Sequence, residues 1–349
     1  MAEGLASNPA HLTELDLSKN GFSDKGAELL AKVLNKCDLE TLRLSECDIT
    51  ENGCKALVSA LRLKPSRLKN LDLSKNSFRS SAVTELSDFL KHRDCHLQRL
   101  WLFRTNLEME DTAAVASALA ENPSYIKELD LGGNRLRDAG VTKLSLLLKD
   151  PKCTIDVLRL VGCRFAEEGC VALVSSLKSN PAHLRVLDLG RNDIKDRGAE
   201  NLSGFLEEPR CQLETLRNTF TDGNSCLITA FDFFPRSLRC CSLTAAGFRS
   251  LIGPLSQSST LKELDLTFNK LLDQDVKLLC DWLKTPQCSL EILRLSDCSE
   301  VGCEALALAL MSKHSHLREL ELSRSRPGEA GLRLLEDLRK TLQKLTVTE

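Results

Sequence analysis

Residues Leu12–Leu34 read LTELDLSKNGFSDKGAELLAKVL, and residues Leu39–Leu61 read LETLRLSECDITENGCKALVSAL. Both open with leucines alternating with polar residues, the period-2 signature of a short strand with one buried face. A turn residue follows, Asn20 in one and Cys47 in the other. Then come a glycine (Gly26, Gly53) and an apolar pattern near period 3.6, which predicts a helix. One such unit cannot bury its own leucines, but stacked copies bury one another's.

The copies run through the chain. LxxLxL starts fall at Leu12, Leu39, Leu68, Leu97, Ile126, Ile155, Leu184, Leu213, Leu261, Leu290, Leu317 and Leu342. Most steps are 29 residues, two are 27, one is 48 and the last is 25. Units with Asn at the turn (Asn20, Asn76, Asn134, Asn192, Asn269) alternate with units carrying Cys there (Cys47, Cys163, Cys241, Cys298). An inward Asn is expected to bond backbone groups that the turn leaves unpaired, and a Cys to fill the place as a small buried thiol. The chain therefore reads as a single α/β repeat domain over residues 1–349, about 11 repeats of 28–29 residues. A chain of this length without repeats would instead divide into two or three domains.

The motifs LDLSKN, LRLSECDIT, NGCKALVSAL, LDLGRNDIKDRGAE and DPKC carry a resemblance. Over nearly the whole chain these units resemble the leucine-rich repeats of ribonuclease inhibitor and of the C-terminal region of NOD-like (NACHT) receptors, most closely the receptor type expanded in fishes. The resemblance implies a leucine-rich repeat solenoid, a horseshoe with a parallel sheet on its concave face and α-helices on its convex face. It also implies a ligand-sensing or autoinhibitory role in a cytoplasmic innate immune receptor, with a NACHT module of a longer parent chain as one partner. The alternative is a free-standing binding protein like ribonuclease inhibitor. Inhibitors of that family present a strongly acidic, aromatic-bearing surface to a very basic enzyme, whereas this chain has a net charge of −2 and a single tyrosine, Tyr125.

The ends and one interruption stand out from the array. GLASNPAHL at the start matches SLKSNPAHL, so residues 1–11 are expected to be a truncated preceding repeat of a longer protein, and Met1–Leu17 to fray. Residues 317–349, where Arg324–Pro327 replaces the SKNGF-type turn, are expected to form degenerate C-terminal capping repeats. Joining Arg217 to Leu238 gives LETLR-LRCCSLT, in step with LETLRLSECDIT. Residues 218–237 therefore read as an insert, disordered or foreign to the native protein.

Chemistry is sparse. Lys and Arg number 47 against 49 Asp and Glu, so no global charge favours nucleic acid or an anionic membrane as partner. No run of 18 uncharged apolar residues exists to span a bilayer, and MAEGLASNPAHL lacks a basic n-region followed by an apolar stretch. GxxxxGK[ST], HExxH, GxSxG and CxxC are all missing from the sequence. Four of the six histidines (His11, His96, His183, His316) share one place at the helix-to-strand junction, which argues for structure rather than catalysis. Twelve of the fifteen cysteines likewise recur in fixed repeat columns, leaving Cys226, Cys240 and Cys280. Separate columns do not make a zinc site, and reduced thiols of a cytosolic protein are expected. No catalytic residue, metal or cofactor is expected.

What remains is a surface. The residue between the two leucines of each LxL faces the concave side, and that column reads Asp16, Arg43, Asp72, Trp101, Asp130, Arg159, Asp188, Arg217, Asp265, Arg294 and Glu321. Acid and base alternate, so a self-neutralising cross-strand charge ladder is expected, with each acid between two bases. Trp101 interrupts it, flanked on the same face by Arg99 and Phe103. Trp and Arg dominate interface hot spots. The candidate binding residues for a protein ligand are Arg99, Trp101 and Phe103, with Arg43, Asp72, Asp130 and Arg159 around them.

Overall fold

A computed structural model describes residues 12–34, 36–63, 67–78, 80–122, 125–217, 243–255, 260–269, 271–312 and 315–348. The truncated repeat expected at residues 1–11 and the insert at residues 218–237 lie outside the described residues. The chain packs as two compact units, Met1–Arg164 and Phe165–Glu349.

In the first unit strand and helix alternate: β1 (Glu14–Asp16), α1 (Ser23–Leu34), β2 (Thr41–Arg43), α2 (Glu51–Leu61), β3 (Asn70–Asp72) and α3 (Ser80–Lys91). The order continues with β4 (Arg99–Trp101), α4 (Met109–Glu121), β5 (Glu128–Asp130), α5 (Arg137–Lys149) and β6 (Val157–Arg159). The strands pair in parallel in chain order, leucine beside leucine: Leu15, Leu42, Leu71, Leu100, Leu129, Leu158. Each helix packs on the next.

The second unit repeats the scheme with β7 (Val186–Asp188), β8 (Thr215–Arg217), β9 (Glu263–Asp265), β10 (Ile292–Ser296), β11 (Glu319–Ser323) and β12 (Lys344–Val347), again parallel and sequential. Its helices are α6 (Glu167–Ser179), α7 (Lys195–Leu206), α8 (Ala245–Leu255), α9 (Asp273–Leu283), α10 (Glu300–Leu310) and α11 (Gly328–Leu338).

Strands of three residues cannot hold a sheet by themselves; the leucines do. Leu42, Leu44, Leu71, Leu100, Leu102, Leu129, Leu131, Leu158 and Leu160 are wholly buried. The side chains between them stand on the opposite, helix-free face, which we call the open face.

Beyond each strand the chain must turn toward its helix while keeping its polar backbone groups paired. Two devices recur. The residue two places past the second leucine sits in the left-handed region: Lys19, Glu46, Lys75, Arg104, Gly133, Gly162, Arg191, Phe268, Asp297 and Arg324, with φ between 51° and 70°. Such a conformation costs a non-glycine residue roughly 1–2 kcal/mol, offset here because its N–H extends the ladder, as in Glu46 N to Ser74 O (3.0 Å) and Arg104 N to Gly132 O (2.8 Å).

The second device is the inward asparagine. Asn134 Nδ2 donates to the carbonyls of Leu102 (2.7 Å), Leu131 (2.8 Å) and Gly132 (3.3 Å). Its Oδ1 accepts from the N–H groups of Thr105 and Leu107, both at 3.0 Å. Asn76 makes the same set with Leu44, Leu73, Ser74, Cys47 and Ile49. The role expected for these residues is thus observed.

In the alternate units the place is held by a weaker donor. Cys47 Sγ reaches Leu17 O (3.1 Å) and Cys163 Sγ reaches Leu131 O (3.3 Å). Thr105 stands where the pattern calls for Cys, donating to Leu102 O (2.8 Å), while Ser325 holds an Asn place, accepting from Cys298 N (3.1 Å) and donating to Ser323 O (3.2 Å).

Asn134 is buried and bridges two repeats, whereas Asn20 is exposed and bonds only Leu17 O and Ser18 O of its own turn. Each buried polar group left unpaired costs about 1–3 kcal/mol. Asn134→Ala is therefore expected to lower the unfolding free energy by about 3 kcal/mol or more, and Asn20→Ala by less than about 1 kcal/mol, in urea titrations followed by circular dichroism. Equal effects at the two sites would contradict the bridging role.

Candidate functional site

The expected concave column is in register on the open face: Asp16, Arg43, Asp72, Trp101, Asp130 and Arg159 lie side by side across the first unit. The bonding differs from the expected ladder. Arg43 pairs with Glu14, and Arg159 pairs with Glu128, two residues upstream of the aspartate column and one strand back. In the second unit Arg294 pairs likewise with Glu263 and reaches Glu321 at 3.4 Å. Burial works against the charge of Arg294, but its bond to Glu263 and the surrounding carboxylates raise its pKa.

The aspartates are occupied otherwise. One carboxylate oxygen of each accepts from the backbone N–H two residues on: Ser18 for Asp16 (2.9 Å), Ser74 for Asp72 (2.9 Å), Gly132 for Asp130 (2.9 Å) and Thr267 for Asp265 (3.1 Å). They cap the turn that starts each repeat's left-handed step. Burial raises the pKa of Asp72 despite these bonds. At Asp16 the bonds from Ser18 and the charge of Arg43 outweigh desolvation and lower it.

Around Trp101 the pieces converge. Trp101 Nε1 donates to Glu128 Oε1 at 2.9 Å, and Arg99 Nε lies 3.4 Å from Glu128 Oε2. Arg159 closes on the same carboxylate, so one half-buried glutamate holds an indole and two guanidiniums. Trp101 is half-buried rather than fully displayed, and it is pinned. Phe103 continues the patch: a Cβ built on Gly132 would come within 2.9 Å of its Cδ2, so the ring lies over a bare backbone. Arg104 stands over that ring, 5.4 Å from its centroid.

The structure thus brings Arg99, Trp101, Phe103, Asp130 and Arg159 together, with Asp72 beside Trp101. Arg43 lies two strands from Trp101 and pairs elsewhere. Sequence reasoning missed Glu128. The signal was available in the residue two before the LxL centre, which shares the open face and is a glutamate at Glu14, Glu128, Glu263 and Glu319.

With this geometry known, comparison with other proteins becomes specific. The family model described as Leucine Rich repeat matches residues 8–31, 35–58, 122–145, 180–203 and 257–280. Ribonuclease inhibitor of Mus musculus is 35% identical over 352 residues, covering 99% of this chain and 72% of that protein. The chain belongs to the leucine-rich repeat family of the ribonuclease-inhibitor type.

NACHT, LRR and PYD domains-containing protein 12 of Homo sapiens is 34% identical over 96% of this chain, but the chain spans only 30% of that protein. The structure of the yeast Rad7 and Elc1 complex shares the repeat fold, with a TM-score of 0.60 at 16% identity over 99% of this chain and 81% of that one.

No other chemistry gathers on these repeats. Among the described residues no group of His, Cys, Asp and Glu is arranged to hold a metal ion, and no helix is long and apolar enough to cross a membrane. His96 packs against Tyr125 with ring centroids 4.3 Å apart and the planes tilted by 57°, a junction contact. Trp282 is buried in α9, where it packs. The twelve described cysteines are buried free thiols, while Cys226, Cys240 and Cys241 lie outside the described residues. Burial pushes Cys54, Cys170 and Cys280 up to about 12 and Cys95 up to about 11.

Two outcomes follow from this chemistry. A raised pKa means that the neutral thiol persists well above pH 8, and only the thiolate attacks a disulfide reagent. At pH 8 Cys54, Cys95, Cys170 and Cys280 should stay unmodified by an aromatic disulfide reagent until denaturant is added; their release from the native protein, mapped by mass spectrometry, would refute the burial. For the patch, Glu128→Ala should red-shift Trp101 emission and raise its acrylamide quenching, while Glu128→Gln, which keeps an acceptor for Nε1, should do so much less. Trp282, the other tryptophan, is buried and contributes a constant background.

Proposed function

We propose that the chain is a non-enzymatic protein-interaction scaffold, the ligand-sensing and autoinhibitory repeat region of a cytosolic NOD-like receptor. The observation that carries the reading is the pinned patch of Arg99, Trp101 and Phe103 on the open face. Its Trp and two Arg are held by Glu128 before any partner arrives, which lowers the ordering cost of binding. Asp72, Asp130 and Arg159 frame the patch, and Arg43 extends it. Alignment with the NACHT relatives over most of this chain, but under a third of theirs, supports a parent in which a nucleotide-binding module is the intramolecular partner.

The second reading is a free-standing inhibitor of ribonucleases, favoured by the 72% share of the mouse inhibitor that the chain spans. Against it stands electrostatics. A net charge of −2 and carboxylates already bound to arginines or turn N–H groups provide little field to draw in a very basic enzyme.

Two measurements separate the readings. The transcript upstream of the Met1 codon is expected to continue in frame into a P-loop-bearing NACHT module. The purified chain is expected to leave the activity of a pancreatic-type ribonuclease unchanged at a several-fold molar excess. A reading frame that opens at Met1, together with stoichiometric inhibition, would overturn the receptor assignment in favour of the inhibitor.

A further inference from the structure

The ion pairing of the first unit stops short of one edge. Arg104 and Arg164, in the turns after β4 and β6, and Arg137, at the start of α5, are all exposed and all left-handed, at φ 52°, 62° and 54°. None of the three makes an ion pair among the described residues. For Arg104 the contrast with the same place in other repeats is local and has a cause. Lys75 meets Glu46 of the neighbouring repeat at 3.2 Å, and Arg324 meets Asp297 at 3.6 Å. Arg104 has Lys75 at that place in the preceding repeat and Gly133 in the next, so neither neighbour offers an acid, and its own side chain occupies the space that a side chain at Gly133 would need. Arg135, between them in sequence, is taken by Glu108 at 3.1 Å.

The backbone ties these positions into one rim, through Arg104 N to Gly132 O (2.8 Å), Gly133 N to Val161 O (2.6 Å) and Arg137 N to Cys163 O (3.0 Å). Directly inward of it lie Phe103, over Gly132, and Trp101. The rim is cationic; the shelf beside it is apolar. Farther inward the cationic character ends: Asp72 and Asp130 stand on the face, and Glu128 neutralises Arg99 and Arg159. A continuous phosphate backbone laid across this face would meet those carboxylates, so a polyanion fits it poorly.

We propose that rim and shelf together take an acidic segment of a protein partner: an aromatic or aliphatic side chain lies on Phe103 and Trp101, and flanking carboxylates bind Arg104, Arg137 and Arg164. The proposal rests on the scaffold reading and adds the chemistry of what is bound. Arginine supplies both halves of the recognition, since a guanidinium pairs with carboxylate bidentately and stacks on aromatic faces. Arg104 already stands in that position over Phe103.

The test is selection of a phage-displayed random library of peptides of about 12 residues on the immobilised full chain, with the strongest sequence then synthesised and titrated. Enriched peptides should carry two or more Asp or Glu within a few residues of an aromatic, Leu or Ile. Their affinity should fall at least about tenfold on Phe103→Ala, and likewise on the triple reversal Arg104→Glu, Arg137→Glu, Arg164→Glu. The triple Lys variant should stay within about threefold of the parent, because it keeps the charge. Circular dichroism and melting of each variant confirm that it is folded.

Basic or neutral peptides, or acidic ones that bind the reversed variant equally well, overturn the inference while leaving the scaffold reading intact, since another surface then does the binding. A single-stranded oligonucleotide that needs the three arginines but ignores Phe103→Ala overturns it in favour of polyanion binding. No enrichment over a blank surface also overturns it; the scaffold reading is then judged by the transcript and ribonuclease results.

Discussion

Everything in these repeats depends on how the turn after each strand keeps its backbone groups bonded. A strand of three residues followed at once by a change of direction would leave carbonyl and N–H groups buried without partners, at a cost that the leucines alone could not offset. Asn134 resolves this with one side chain, donating to three carbonyls and accepting from two N–H groups. Because Leu102, Thr105 and Leu107 belong to the preceding repeat, the same amide that finishes one turn also locks it to its neighbour. The alternate units need less, since an asparagine already serves them from the next repeat. A thiol or hydroxyl donor is then sufficient, which explains why Cys47, Thr105 and Cys163 are interchangeable there.

That economy leaves the open face to be decided by electrostatics. Aspartates in the column between the leucines are committed to the turn, so the arginines beside them take their partners from the glutamates two residues upstream. The arrangement is a diagonal weave and not a rung-by-rung ladder. In the first unit it gives Glu128 two arginines and an indole; in the second it gives Arg294 two glutamates. The two motifs are electrostatic opposites built from one repeat. Surface ion pairs of this kind contribute little stability individually, but a carboxylate shared by three donors fixes the orientation of a tryptophan, and orientation matters for recognition.

Exposed arginines at the first unit's rim arise from the same logic at its margin. Glycine at 132 and 133 lets Phe103 and Arg104 lie across the neighbouring repeat. Arg104 itself stands at the place that Glu46 and Asp297 hold in their repeats, so the shelf at Phe103 is bordered by an arginine without an ion pair among the described residues.

The sequence by itself determined the repeat, its register and its core, because a period of two in Leu12–Leu17 followed by a period near 3.6 in Ala27–Leu34 leaves one way to bury the leucines. It also determined that Asn76 and Asn134 turn inward and that the cysteines are packing groups. Trp101 with its neighbours was legible as the break in an alternating column. What only the tertiary structure decided is who bonds to whom across the strands. Asp16 and Arg43 are adjacent in register, yet the aspartate caps its own turn while the arginine crosses to Glu14. The left-handed step at Lys19, Glu46 and Arg104 was equally hidden, since no glycine marks it. Periodicity in a sequence specifies which face a side chain occupies; competition among several acceptors on that face is settled only by distances, which exist once the repeats are stacked.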